Sequence, residues 1–86
     1  MLGRILIVDD NIMVRESYAD LLCDRGYSVE HAGNGEQALE LIRAQPVDLA
    51  IVDVMMPTMG GLEFRQHLSD AAPAVATILV TGQPGR

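Results

Sequence analysis

Three short apolar runs, each cut off by polar or turn-forming residues, limit this chain more than any other feature. Ile5-Leu6-Ile7-Val8 stops at Asp9-Asp10-Asn11, Leu49-Ala50-Ile51-Val52 stops at Asp53 with Pro57 soon after, and Val75-Ala76-Thr77-Ile78-Leu79-Val80 stops at Thr81-Gly82. Runs of about four to six mostly apolar residues fit strands buried on both faces, as in parallel sheets. Periodicity alone would also allow a short helix, but brevity and the Pro57 punctuation favour strand.

The stretches between the runs carry helical spacing. From Ile12 to Arg25, Val14, Tyr18, Leu21 and Leu22 fall on one side and Arg15, Glu16, Asp20 and Asp24 on the other, with Gly26 as a left-handed stop. Tyr27 to Ala32 reads as a short strand, and Gly33-Asn34-Gly35 turns the chain into a helix over Glu36–Ala44 whose inner face is Ala38, Leu41 and Ile42. A loop runs through Pro57 to Gly60, and a helix from about Gly61 to Asp70 offers Leu62, Phe64 and Leu68 before Pro73 ends it. Strands alternating with helices predict βαβ units, an α/β fold with a doubly wound parallel sheet, and right-handed crossovers.

The 86 residues have room for a single domain. A formal charge of -6 gives no basic footprint for nucleic acid, and no apolar run approaches the ~20 residues of a membrane helix. Cys23 is the only cysteine, which suits a reducing cytoplasm, and the chain enters its first strand with no export signal. All six basic residues are arginines and there is no lysine.

In a doubly wound sheet of order 2-1-3-4 the first and third strands are neighbours, and the crevice beyond their carboxyl ends is where ligands bind. Asp9, Asp10 and Asp53 converge there. Carboxylates ~4 Å apart repel by roughly 4 kcal/mol per pair at an effective dielectric of 20, so the cluster calls for a cation. Oxygen-only ligands beside open water suit Mg²⁺. An ionised aspartate beside the metal is equipped to attack a phosphoryl group, and Thr81, at the end of the next strand, offers a hydroxyl to the same group.

Ile7-Val8-Asp9-Asp10-Asn11, then Asp53-Val54-Met55-Met56-Pro57 with Gly61, then Val80-Thr81-Gly82 resemble a response-regulator receiver domain of two-component signalling, as does the turn and helix Asn34-Gly35-Glu36-Gln37-Ala38-Leu39. The resemblance covers nearly the whole chain. It implies Asp53 as phosphoacceptor, Asp10 and Asp53 as direct Mg²⁺ ligands with the main-chain carbonyl of Met55, Asp9 acting mostly through a water, and Thr81 as the switch hydroxyl. It also implies a sensor histidine kinase as phosphodonor, a cytoplasmic location and a switch rather than an enzyme. Val80-Thr81-Gly82-Gln83-Pro84-Gly85 is most similar to receivers of enhancer-binding transcription activators. Receivers also carry a fifth strand with a lysine and an aromatic switch residue, and two further helices. On that comparison, residues 1–86 are a partial receiver domain cut after its fourth strand, and the apolar edge and face left bare predict self-association, as a homodimer or otherwise.

Each residue has a plainer reading. Asp10 or Asn11 could serve only to cap the first helix. Met55, Met56 and Met59 would be gap-filling or loop residues, His31 and His67 surface or packing residues, and Cys23 an inert core or boundary residue. The alternative to a phosphorylated receiver is a non-switching interaction module that pairs through its truncated sheet. An aspartyl-phosphate phosphatase ranks third, because the second acid it would need two residues after Asp53 is Met55.

Overall fold

The computed structural model describes residues 3–53, 61–71 and 75–80. The order is β1 (Arg4–Val8), α1 (Ile12–Asp24), β2 (Ser28–Ala32), α2 (Gly35–Ala44), β3 (Leu49–Asp53), α3 (Gly61–Ala71) and β4 (Ala76–Val80). The strands form one sheet of order β2-β1-β3-β4, and every pairing is parallel. The expected architecture is therefore the observed one, with boundaries displaced by a residue or so.

The two faces of the sheet are unequal. Side chains alternate along a strand, so Leu6 and Val8 of β1 and Ala50 and Val52 of β3 point to one side. There they join Ala38, Leu39 and Ile42 of α2 and Phe64 and Leu68 of α3 in a single buried cluster. Phe64 is completely buried. Ile5 and Ile7 point to the opposite face, where α1 packs on β1 and β2. No α1 residue is fully buried, Leu21 is 48% exposed, and Ile78 on β4 is 49% exposed. The helical spacing of α1 is right, but Val14, Tyr18 and Leu22 are only half-buried.

Local chemistry fixes the helix ends. Asn34 Oδ1 accepts from the Gln37 N–H at 2.8 Å, and Gln37 Oε1 in return accepts from the Gly33 N–H, a reciprocal cap that starts α2. Gly26 stops α1 with a φ of 99°, a conformation that costs any residue with a Cβ. At the amino end of the sheet, the Arg4 main-chain N–H donates to Asp48 Oδ2 and its guanidinium pairs with Glu30 at 3.0 Å.

Two side-chain expectations change. The inner face of α2 is Ala38, Leu39 and Ile42, with Leu41 only partly buried, because α2 lies against both the sheet and α3. Cys23 is exposed rather than core or boundary. It lies about 100° around the helix from half-buried Leu22, so neighbouring in sequence does not place it on the same face.

Candidate metal centre

β1 and β3 are hydrogen-bonded neighbours with Val8 opposite Val52, so the residues that follow emerge side by side at the carboxyl edge of the sheet. Asp9 leaves the end of β1 and Asp53 closes β3. One carboxylate oxygen from each of Asp9, Asp10 and Asp53 lies within 4.8 Å of the other two. Asp53 is the single charged residue in the buried set among the described residues, Asp9 is half-buried, and Asp10 is exposed.

The turn from β1 into α1 separates capping from clustering. Asn11 Oδ1 accepts from the N–H groups of Met13 and Val14 at 2.9 and 3.2 Å, which makes Asn11 the cap of α1. Its own N–H donates to Asp9 Oδ1 at 2.9 Å and steadies that carboxylate. The Asp9 N–H donates to the Ala32 carbonyl at the end of β2. Asp10, the other candidate cap, belongs to the acidic cluster instead.

Burial holds the Asp9 carboxyl above its ordinary pKa, and the charges of Asp53 and Asp10 push it the same way, against the Asn11 N–H that favours the ionised form. Asp9 thus gives up its proton less readily than a free aspartate when no counter-charge is near. Three oxygen donors around one point, a mouth open to water and mutual repulsion that a divalent cation would relieve are the properties of a hard-cation site. The donor set fits Mg²⁺.

Met55 and Thr81, assigned to the site from the sequence, lie outside the described residues. His31 and His67 are surface residues, as expected. His67 sits 3.8 Å from Glu63 one turn away, and His31 has a partner that sequence spacing did not reveal. That partner is Arg15, whose Nε donates to His31 Nδ1 at 3.3 Å while its Nη1 donates to the Asp9 carbonyl at 2.8 Å. No periodicity encodes a side-chain to main-chain bond six residues long.

A parallel 2-1-3-4 sheet with an acidic crevice at the ends of its first and third strands is a flavodoxin-like, doubly wound α/β domain. The family model of the response regulator receiver domain matches residues 5–85, and the chain belongs to that family. Among curated relatives, the response regulator MprA of Mycolicibacterium vanbaalenii is 41% identical over 80 residues, which is 93% of this chain and 35% of that protein. The chain thus spans about a third of the curated relatives it matches. Two solved structures align closely. The N-terminal domain of a response regulator receiver protein from Methanoculleus marisnigri is 32% identical with a TM-score of 0.89, covering 100% of this chain and 72% of that one. The response regulator TrrA of Thermotoga maritima, in complex with Mg²⁺ and BeF, is 35% identical with a TM-score of 0.88, covering 96% of this chain and 72% of that one.

Proposed function

We propose that Asp53 accepts a phosphoryl group from a sensor histidine kinase, with Mg²⁺ held by Asp9, Asp10 and Asp53. The observation that carries this is the approach of three carboxylates from adjacent strand ends to within 4.8 Å, in a chain of the receiver family. A carboxylate oxygen of Asp53 attacks phosphorus in line as the bond to the donor's leaving atom breaks, and the leaving group departs with that electron pair. Asp53 is buried at its strand end, so its orientation is fixed before the donor arrives. Mg²⁺, when bound, neutralises the charge on the transferring oxygens. TrrA in its complex with Mg²⁺ and BeF supports the same ligand chemistry here. By the family resemblance, the Met55 carbonyl completes the metal ligands and Thr81 is the hydroxyl that receives the phosphoryl oxygens. The chain is modified once per event and turns nothing over, so it acts as a switch and not an enzyme.

The place of action in this reading is the cytoplasm, where kinase and donor meet. Among the described residues no helix is long and apolar enough to cross a membrane. The experiment is incubation with a small phosphodonor and Mg²⁺ followed by intact-mass measurement. Acid-labile mass gain lost in Asp53→Asn is expected, and gain that persists in that variant refutes the assignment. The 86 residues contain no lysine, so the cationic contact known in the family has no counterpart among them, and modification of this chain is expected to be slow.

A second reading rests on Ile78, 49% exposed on β4, which is outermost among the described strands, and favours self-association through that strand or the sheet face beside it. Sedimentation at micromolar concentration tests it: a compact monomer that binds no apolar dye counts against an interaction module.

A further inference from the structure

The bond between Arg15 and Asp9 deepens the metal-site reading and rests on it. Arg15 lies on α1, one turn past the Asn11 cap, and is half-buried. Its guanidinium reaches back over the turn it follows and donates from Nη1 to the Asp9 carbonyl at 2.8 Å. The same group donates from Nε to His31 Nδ1 at 3.3 Å, so it spans the gap between the acidic turn and β2. The corner after β2 closes against it, since a Cβ on Gly33 would lie 3.2 Å from Arg15 Nη1. Only one main-chain bond, from the Asp9 N–H to the Ala32 carbonyl, ties the turn to β2 at this level among the described residues. Arg15 supplies a second tie on the other side of the same residue.

We infer that Arg15 is a positioning residue for the metal site: its fork fixes the Asp9 main chain against β2 and thereby sets where the Asp9 and Asp10 carboxylates stand relative to Asp53. The guanidinium is spent on a carbonyl and an imidazole, so it steadies the turn rather than competing with a cation for the carboxylates. A donor that orients a ligating residue commonly changes metal affinity by about 10- to 100-fold when removed. A residue that served only stability would lower the melting temperature and leave the affinity of the folded protein alone.

The test uses the 86-residue chain and Mg²⁺ alone, titrated by calorimetry well below the melting transition. Arg15→Met keeps the aliphatic stem and removes both donors. Its Mg²⁺ dissociation constant is expected to rise about tenfold. Arg15→Lys, which retains one donor for the Asp9 carbonyl, is expected to recover most of that loss and keeps the question open to decision if Arg15→Met does not fold. Amide hydrogen exchange without metal gives the independent readout, and the Asp9 and Asn11 N–H groups should exchange several-fold faster in Arg15→Met. Unchanged affinity and unchanged exchange in the substituted chains overturn the positioning role. If the unsubstituted chain binds no Mg²⁺, the metal-site reading itself falls, and faster or unchanged exchange at Asp9 and Asn11 still decides whether Arg15 holds the turn.

Discussion

Replacing Asp9 by asparagine should stabilise the metal-free chain while weakening its response to Mg²⁺. Asparagine keeps the Oδ1 that accepts from the Asn11 N–H, so the turn retains its internal hydrogen bond and loses only a charge. The three carboxylates lie within 4.8 Å of one another, a separation at which two like charges repel by about 1 kcal/mol in water and about 3.5 kcal/mol at an effective dielectric of 20. Asp10 is exposed and Asp9 is only half-buried, which places the net relief toward the lower figure, roughly 1–2 kcal/mol. For a domain of this size each kcal/mol moves the melting temperature by about 4–8 °C. Asp9→Asn should therefore melt several degrees higher than the parent chain in chelator at neutral pH.

The pH dependence carries the same sign. Folding raises the Asp9 pKa, so the folded state binds the proton more tightly, and the metal-free parent loses stability as pH climbs from about 3.8 through the raised value. The substituted chain lacks that loss, and the two melting curves should converge at low pH. Saturating Mg²⁺ reverses the order, because a ligand at 100 times its dissociation constant adds about 2.7 kcal/mol to whichever chain binds it. Scanning calorimetry across pH 3–8 with and without Mg²⁺ checks all of this. A variant that melts below the parent in chelator at pH 7, or that gains as much from Mg²⁺, would refute the electrostatic reasoning.

Asp53→Ala should reduce Mg²⁺ affinity at least tenfold in calorimetry, whereas Asp10→Ala should reduce it more than Asp9→Ala. Phe64→Ala removes the largest fully buried side chain among the described residues and should cost about 3–5 kcal/mol in denaturant unfolding. Gly26→Ala forces a Cβ into a φ of 99° and should cost about 1 kcal/mol by the same measurement, with no effect on Mg²⁺ binding.

The strands were legible because a parallel sheet demands short, near-continuous apolar segments, and Ile5–Val8 and Leu49–Val52 are too short for a typical buried helix. Asp9, Asp10 and Asp53 were legible as a group because strand order alone carries the ends of β1 and β3 together. The covering of α1 was less so. Its spacing marks which side faces the protein, but burial depends on what lies above the sheet beyond β1, and Leu21 stays half-exposed. Leu39 was missed because a helix packed on both a sheet and another helix buries a wider arc than a single stripe. The Arg15 bridge left no trace in the sequence, since its bond to Asp9 depends on the path of a turn and its bond to His31 on the pairing of β1 with β2.

The acids gather at the carboxyl ends of the two inner strands of the four described, with β2 and β4 outside them. Strands at the rim of a sheet with exposed side chains, as Ile78 is here, are expected to exchange their amides before the centre of the sheet does. On the proposed reading, the candidate metal site would hang from the two inner strands of the described sheet, the part expected to open last. If Asp53 is the acceptor proposed above, a molecule frayed at β4 would keep its acidic cluster, and capture of a phosphoryl group would outlast, on heating, any change carried through β4.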